Sequence, residues 1–265
     1  MQATTLDPAI RILRAGSRMR TETSWLDSRH CFSYGRHYEA DNTHHGLLLV
    51  CNDDSIRGST GFAEHSHEEM EIVTWMVEGE LEHRDCAGGG THVLRPGMVR
   101  RVSAGRGIRH SEMNPAGWAP TRYIEMWVPP DRDSVEPGVE LADVDRALAD
   151  GGLVPIASGA GHPRGPGGVP LTTAAGAALE SAVRLHQAQA VLWAARLSAG
   201  EQVILPDGRH VHLYVVIGRG VLDTGGLAGA GPLEEGDSVR LTTAGSPVFT
   251  AHPSGMAEIL VWETG

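Results

Sequence analysis

Residues 75–80 read WMVEGE, and residues 214–219 read YVVIGR. The second stretch lies 139 residues after the first, and two glycine pairs keep this shift. They are Gly79 with Gly218 and Gly97 with Gly236. Because one shift kept at two landmarks indicates an internal repeat, we predict that the chain contains a duplicated domain.

Short apolar runs rich in Val, Ile, Tyr and Trp recur along the whole chain, with glycine and proline between them. This pattern predicts an all-β fold, a sandwich or a barrel, with few short helices. The runs are HGLLLVCN (45–52), EIVTWMV (71–77), YIEMWV (123–128), AVLWAARL (190–197), HLYVVIG (212–218) and EILVWE (258–263).

Helix signals are few. The two candidates are LADVDRALAD (141–150), which ends before two glycines, and the Ala-rich LTTAAGAALESA (171–182). The composition of SGAGHPRGPGG (158–168) predicts a loop. This loop follows LVPIAS (153–158), which we interpret as the first strand of the second half. We therefore divide the chain into domains of residues 1–150 and 151–265.

The composition restricts the class of protein. The net charge is −11 and the chain has no lysine, so direct nucleic-acid binding is not expected. A local basic cluster is interpreted as a pocket rim or a solvated face: Arg100, Arg101, Arg106 and Arg109. No apolar run approaches the roughly 18 residues that span a bilayer, and the N-terminal residues do not resemble a secretory signal. We therefore expect a cytoplasmic protein that does not contact the membrane.

The three cysteines are Cys31, Cys51 and Cys86. Their odd number and wide spacing argue against a disulfide framework. No Cys-x-x-Cys pair is present to build a thiolate zinc site. We predict that all three are buried or half-buried thiols.

Two short segments carry side chains suited to a metal. GFAEHSHEEME (61–71) contains His65 and His67, and AGRGIRHSEMN (104–114) contains His110 and Glu112. Residues two apart on a strand point to the same face, so two strands facing each other across a barrel could bring all four side chains to one ion. Three imidazoles and one carboxylate suit Fe(II), Mn(II), Ni(II), Cu(II) or Zn(II). The alternative is that these histidines are surface groups without a metal.

Longer stretches around these segments resemble the pirin family of the cupin superfamily. They are SWLDSRHCFSYGRHYEA (24–40), GLLLVCNDDSIRGSTGF (46–62), GFAEHSHEEMEIVTWMVEGELEHRD (61–85) and RPGMVRRVSAGRGIRHSEM (95–113). The resemblance implies a bicupin, which consists of two tandem cupin β-barrels arranged face to face. One departure lies beside the ligands: pirins usually read His-Pro-His-Arg-Gly-Phe-Glu, and this chain reads His-Ser-His-Glu-Glu-Met-Glu.

The resemblance also implies a metal site in the N-terminal barrel. Carried over position by position, the ligands of one divalent metal, iron first, are His65, His67, His110 and Glu112. Glu71 stands where many other cupins place their glutamate ligand, so we treat it as a neighbour of the ligands that can exchange into the set.

The second barrel is predicted to lack metal ligands. At the shift of 139 residues, the four ligand positions fall on apolar residues: Ile204, Pro206, Phe249 and Ala251. His210 and His212 form their own His-x-His pair, but they occupy the positions of Glu71 and Val73, and a metal there would need partners from elsewhere.

Three functions are compatible with these residues. Some pirin-like proteins open the ring of quercetin with O₂, which implies a small flavonol-like substrate, with Glu112 or Glu71 as general base. Candidates for the pocket walls are Trp75, Met76 and Met126, although such residues more often pack in a core. The alternative is a non-enzymatic regulator that acts through a protein partner according to the redox state of its metal. The third is a metal-dependent isomerase, which would turn over without oxygen.

Overall fold

The computed structural model describes residues 9–87, 90–159, 180–227 and 231–265. Within these ranges the chain forms 22 β-strands, one α-helix, α1 (Asp145–Ala149), and one 3-10 turn (Ala15–Ser17). In chain order the strands are β1 (Ala9–Leu13), β2 (Met19–Glu22), β3 (Leu26–His30), β4 (Val50–Ile56), β5 (Gly61–His67), β6 (Glu71–Glu78), β7 (Leu81–Asp85), β8 (Gly90–Leu94), β9 (Met98–Ser103), β10 (Ile108–Met113), β11 (Thr121–Val128), β12 (Gly138–Asp143), β13 (Val154–Ser158), β14 (Val183–Arg184), β15 (Ala190–Leu197), β16 (Gln202–Ile204), β17 (His210–Ile217), β18 (Arg219–Asp223), β19 (Gly231–Glu234), β20 (Ser238–Thr242), β21 (Val248–Ala251) and β22 (Ala257–Thr264).

The strands form two barrels of the same design, each made of a seven-stranded and a four-stranded sheet. In the first barrel the strand orders are β12-β9-β6-β11-β4-β3-β2 and β5-β10-β7-β8. In the second they are β1-β20-β17-β22-β15-β13-β14 and β16-β21-β18-β19. The two large sheets correspond strand by strand, which confirms the prediction of two tandem β-barrels.

The barrels exchange edge strands. β1 comes first in the chain, but it pairs antiparallel with β20 at the edge of the second barrel. At the equivalent edge of the first barrel, β12 pairs with β9. The division at residue 150 stays a prediction, and the strand Ala9–Leu13 lies in the sheet of the other half.

The glycine pairs of the sequence repeat adopt matching backbone conformations. Gly79 and Gly218 have φ of +76° and +78°, and Gly97 and Gly236 have +85° and +82°. These values lie in the left-handed region that glycine tolerates best. Gly79 also approaches the Pro120 carbonyl so closely that a Cβ would lie 2.7 Å from its oxygen. Both the sign of φ and the close approach therefore explain why glycine is needed at this turn.

Most predicted elements are present, with changed bounds. The apolar runs after residue 70 become β6, β11, β15, β17 and β22, and LVPIAS becomes β13. The predicted helix at 141–150 begins only at Asp145, because Gly138–Asp143 pairs with β9 and this pairing overrides local propensity. The helix candidate at 171–182 lies outside the described residues up to 179, as does the predicted loop from 160 on. No helix of the described ranges is long and apolar enough to cross a membrane.

The two large sheets pack against each other through a shared apolar core. Val73, Trp75 and Met126 contribute from the first barrel, and Leu192 and Trp262 from the second. Because side chains alternate along a strand, the residues between them point into the barrel interiors. The interior of the second barrel is one continuous apolar cluster. The first barrel has two separate apolar clusters, and polar residues lie between them.

A glycine where the barrels meet offers a test of this packing. Gly46 and Gly35 lie in the same loop with φ of +58° and +56°. A Cβ on Gly46 would lie 2.8 Å from the Cβ of His210 and closer still to Thr264, whereas a Cβ on Gly35 meets nothing within 4 Å. We expect Gly46→Ala to lower the free energy of unfolding by about 2 to 4 kcal/mol and Gly35→Ala by about 1 kcal/mol, as measured by urea titration. Equal losses would contradict the inter-barrel contact.

Candidate metal centre

The two strands that carry the predicted ligands are direct neighbours. β5 and β10 pair antiparallel, with His110 opposite His65 and Ile108 opposite His67. The ladder is irregular between His110 and Glu112, which places Glu112 opposite Phe62. The expectation that these strands face each other across a barrel is therefore wrong. Adjacent pairing brings the side chains together instead, because opposite residues share one face of the sheet.

Three of the four predicted ligands converge. Each of His65, His67 and His110 offers a ring nitrogen, and these atoms lie within 4.8 Å of one another. The Nε2 atoms of His65 and His110 are 3.0 Å apart. His65 uses Nδ1 to donate to the carbonyl of Ala63 at 2.8 Å, which leaves Nε2 for a metal.

Burial keeps two of these imidazoles in the form that binds metals. Burial lowers the pKa of His110 to about 3, and Arg100 and the neighbouring histidines lower it further against the effect of Glu112. Burial and then His65 lower the pKa of His67. Both rings are therefore neutral at neutral pH, with a lone pair available. Nδ1 of His110 is buried and has no hydrogen-bond partner among the described residues.

Glu112 lies beside this cluster but is paired with an arginine. Arg100 donates from Nη2 to Oε1 of Glu112 and to Thr74 at 2.7 Å, and from Nη1 to Nδ1 of His83 at 2.7 Å. Burial alone would raise the pKa of Glu112, but Arg100 and then His110 hold it well below its usual range. With His83 and His110, Glu112 forms a second group of close donor atoms. Glu112 is therefore an ionised carboxylate that already has a cationic partner.

The interpretation of the four arginines as a rim or a solvated face is wrong for the first two. Arg100 is fully buried, and Arg101 is 4% exposed and donates to Ser103 and to the carbonyl of Gly138. The exposed members of the cluster are the other two, Arg106 with Glu136 and Arg109 with Glu64. Arg100 and Arg101 differ because successive residues of β9 point to opposite faces.

Arg100 belongs to a polar layer inside the first barrel. In the strand register, Thr74 lies opposite both Arg100 and Glu125. The corresponding residue of the second barrel is Leu213, which lies opposite Val239 and Val261. The second barrel thus fills the same positions with aliphatic side chains, which explains its continuous apolar interior.

The counterpart of Glu112 also differs from the expected one. Glu112 lies opposite His83, and Phe249 lies opposite Leu222, which is 139 residues after His83. The structural counterpart of Glu112 is therefore Phe249 and not Ala251, because the shift between the repeats shortens by two residues before β21. This position remains apolar.

Glu71 is not placed to serve this cluster. Its carboxylate is fully buried and accepts hydrogen bonds from the Ser103 hydroxyl at 2.9 Å and the His186 backbone N–H at 3.1 Å. It does not line the cavity beside the histidines. The expectation that Glu71 exchanges into the ligand set or acts as a base is therefore not supported by its position.

The cavity beside the histidines is small and has aromatic walls. It has a volume of about 90 Å³. Its lining includes Tyr34, Phe62, Trp127, Glu112 and Glu125, together with two of the histidines. The Trp127 ring lies 5.0 Å from the His67 ring, edge to face, and its N–H donates to Glu125 at 2.9 Å. Burial, followed by the charges of Glu112 and Asp54, raises the pKa of Glu125 well above its usual value, so this carboxyl is a neutral hydrogen-bond donor.

The wall residues predicted from the sequence lie elsewhere. Trp75 and Met126 belong to the core between the barrels, where Trp75 donates to Glu258 at 2.8 Å, and Met76 packs inside the first barrel. Sequence reasoning missed Tyr34 and Glu125. A glutamate within the apolar run YIEMWV is the one signal that could have indicated Glu125, because a buried carboxyl needs a partner.

The two acids that depart from the family pattern have different environments. Glu68 is exposed. Glu69 replaces the usual glycine and has a φ of +49°, within the left-handed region that glycine favours. Its carboxylate accepts the backbone N–H of Ser134 at 2.9 Å, a contact that glycine could not make. The substitution thus keeps the backbone turn and adds an anchor for the loop after β11.

The donor set fits a divalent metal. The three imidazoles converge at ligand distances, two are held neutral, and His110 leaves a buried ring nitrogen without a partner. A carboxylate lies in the same cavity. Imidazole and carboxylate are the ligands that first-row divalent metals prefer.

Known proteins share this fold and sequence. The family model described as Pirin matches residues 13–128. A Mycobacterium tuberculosis protein with the provisional name of a quercetin 2,3-dioxygenase is 43% identical over 96% of this chain and 94% of its own length. The Escherichia coli quercetin 2,3-dioxygenase is 37% identical over 51% of this chain and 58% of its own. The crystal structure of the E. coli bacterial pirin YhhW in complex with nickel(II) aligns with a TM-score of 0.78 and 26% identity, over 97% of this chain and 99% of that one. The chain is a member of the pirin family.

Proposed function

We propose that the first barrel holds one divalent first-row metal through His65, His67, His110 and Glu112. The observation that carries this proposal is the convergence of the three histidine rings within 4.8 Å at one end of the barrel. Nickel in the E. coli pirin supports a site of this kind. Fe(II) is our first choice for this chain, and Mn, Ni, Cu and Zn suit the same donors.

We further infer that the protein is a dioxygenase that acts on a quercetin-like flavonol or a related small molecule. The names of its relatives support this reaction. When bound, a divalent metal supplies Lewis acidity that lowers the pKa of a substrate hydroxyl, and a redox-active one also supplies chemistry with O₂.

The side chains of the cavity define the remaining work. Tyr34, Phe62 and Trp127 offer flat apolar surfaces to an aromatic ring. Glu125, as a neutral acid, can donate a hydrogen bond to a substrate oxygen. Glu112 is a weak base because Arg100 stabilises its ionised form. It can accept a proton only from a strongly acidified hydroxyl, such as one held at a Lewis acid.

The size of the cavity restricts how a substrate enters. Pockets that enclose drug-sized ligands have volumes of roughly 300 to 1,000 Å³. A cavity of about 90 Å³ can take only the hydroxyl-carbonyl edge of a flavonol unless its wall moves. Tyr34 is the wall residue on the long loop between β3 and β4, so its displacement is the simplest way to widen the mouth.

The ligand assignment is tested by removing one histidine. His67→Ala should abolish most binding of Fe(II) or Ni(II), because the remaining donors lose a convergent partner. We expect one metal per chain in the wild type and a fall of roughly a hundredfold or more in affinity in the variant, since outer-shell changes alone often cost 10- to 100-fold. His44→Ala, at an exposed histidine outside the cluster, is the control. Metal content of His67→Ala near that of the wild type would refute the assignment.

The role of Arg100 is tested by neutralising it. Arg100→Gln should lower the stability of the metal-free protein by about 3 to 5 kcal/mol, because a buried carboxylate loses its partner. The same change should raise metal affinity roughly tenfold, because a neighbouring positive charge is gone. Urea titration and calorimetric metal binding measure the two effects. Arg101→Gln, on the opposite face of β9, should leave metal affinity unchanged. A fall in affinity for Arg100→Gln would show that Arg100 positions Glu112 rather than opposing the metal.

The reaction is tested with two probes of different size. We expect metal-loaded protein to consume O₂ with quercetin and with 3-hydroxy-4-pyranone, and to place both atoms of ¹⁸O₂ in the product. Tyr34→Ala should increase kcat/KM for quercetin more than for the pyranone, because it widens the mouth. Tyr38→Ala is the matched control on the same loop, since Tyr38 is 76% exposed.

The outcomes separate the competing functions. Anaerobic turnover would favour an isomerase over the dioxygenase. No turnover of either probe with any of the five metals, in a protein that binds metal normally, would overturn the dioxygenase and favour a regulator that acts through a protein partner.

A further inference from the structure

A second group of metal-binding side chains lies between the barrels. Cys31, Cys51 and His212 each offer one donor atom, and these atoms lie within 4.8 Å of one another. Their exposed fractions are 0%, 1% and 1%. The prediction of buried thiols is confirmed for Cys31 and Cys51, whereas Cys86 is exposed. The two buried thiols share their position with an imidazole from the other half of the chain.

Strand geometry brings the three side chains together. Cys31 follows β3 directly, and its N–H donates to the carbonyl of Cys51 in β4 at 3.0 Å. Cys51 belongs to the core between the barrels. His212 occupies the β17 position that corresponds to Val73 in β6, and Val73 points into the same core. His212 therefore faces the first barrel, which explains why the second barrel alone offers it no metal-binding partner.

His212 lacks the hydrogen bonds that a buried imidazole needs. Neither Nδ1 nor Nε2 has a hydrogen-bond partner among the described residues. The ring of Phe32 lies 5.6 Å from the His212 ring. Burying a polar ring without partners costs free energy, so its presence beside two thiols needs an explanation.

We propose that Cys31, Cys51 and His212 bind one Cu(I) ion. Thiolates select soft ions such as Cu(I) and Zn(II). A structural Zn(II) site needs four ligands, whereas this group has three among the described residues and no solvent access for a water molecule. Cu(I) accepts three-coordination. Binding would release the two thiol protons, so that both sulfurs coordinate as thiolates.

The surrounding charges suit this ion. Cu(I) with two thiolates and a neutral imidazole carries one net negative charge. Arg18, whose side chain is 2% exposed, is close enough to interact electrostatically with both thiols. Arg240 donates to the carbonyl of Cys31 at 2.7 Å. These two buried guanidinium groups would compensate the negative charge of the loaded site.

This site is distinct from the histidine centre and would act differently. It lies on the opposite face of the large sheet, in the core between the barrels, and it takes ligands from both halves of the chain. A bound ion would therefore tie the two barrels together.

The test removes the histidine centre first. In a His65→Ala/His67→Ala background, anaerobic titration with Cu(I) against a chromophoric chelator should still show one tightly bound ion per chain. Cys31→Ser or Cys51→Ser should abolish this binding, His212→Asn should weaken it, and Cys86→Ser should leave it intact. Cu(I) should raise the Tm of the background protein and of the Cys86→Ser control, and not that of the Cys31→Ser variant. Tight binding that survives both Cys31→Ser and Cys51→Ser would overturn the proposal.

A measurement on the intact chain covers the case in which the serine variants do not fold. X-ray absorption of the Cu(I)-loaded background protein should show two sulfur scatterers and one nitrogen scatterer. A shell of nitrogen and oxygen alone would overturn the site. A mass two hydrogens lower with no bound copper, in protein prepared under reducing conditions, would show a Cys31–Cys51 disulfide and equally overturn it.

Discussion

The central strands of both large sheets are buried on both faces. One face of each sheet packs against the other barrel, and the other face lines its own barrel, so water reaches neither. Any polar atom on these strands must find its partner inside the protein. In the second barrel the strands meet this condition by being apolar throughout. In the first barrel they meet it with the layer of Thr74, Arg100 and Glu125, and the candidate metal centre adjoins this layer.

The core between the barrels also contains buried polar contacts, and these orient the two halves. Tyr214 of the second barrel donates to Asp53 of the first at 2.7 Å, and Arg18 donates to the Tyr214 hydroxyl at 3.0 Å. Arg122 completes the group through its ion pair with Asp53 at 2.9 Å. Hydrogen bonds depend on direction, whereas apolar contacts do not, so this network selects one orientation of the barrels. The loop that carries Tyr34 packs against both halves, and its position over the cavity depends on that orientation.

Much of the fold and part of the site could be predicted from the sequence. The glycine pairs and the β-rich runs predicted two barrels, because glycine at φ near +80° is a strict local requirement. His65 and His67 were found because a spacing of two residues is sufficient to place side chains on one face. The role of Arg100 was not predictable in this way. In a strand buried on both faces no alternation of polar and apolar residues tells which side is which.

The same limit explains the remaining errors. Trp75 and Met126 point into the core between the barrels, and Met76 points into the first barrel, yet all three lie in equally apolar runs. Glu71 follows the ligand motif at a familiar spacing, but its carboxylate binds Ser103 and His186, and His186 is 115 residues away in the chain. Contacts between distant segments decide which of two buried faces a residue serves, and a local pattern contains no information about them.

The exchange of β1 and β12 restricts the kind of ancestor from which a two-barrel chain can arise. Each repeat supplies the edge strand of the other repeat's large sheet. A single-barrel ancestor of this design would have lacked one edge strand, and a second copy could have supplied it through a twofold symmetric dimer. Fusion of two such genes would then produce the present topology without breaking any strand pairing. Once fused, the copies no longer had to remain identical. One barrel could lose its polar layer and become a purely apolar support while the other kept the chemistry.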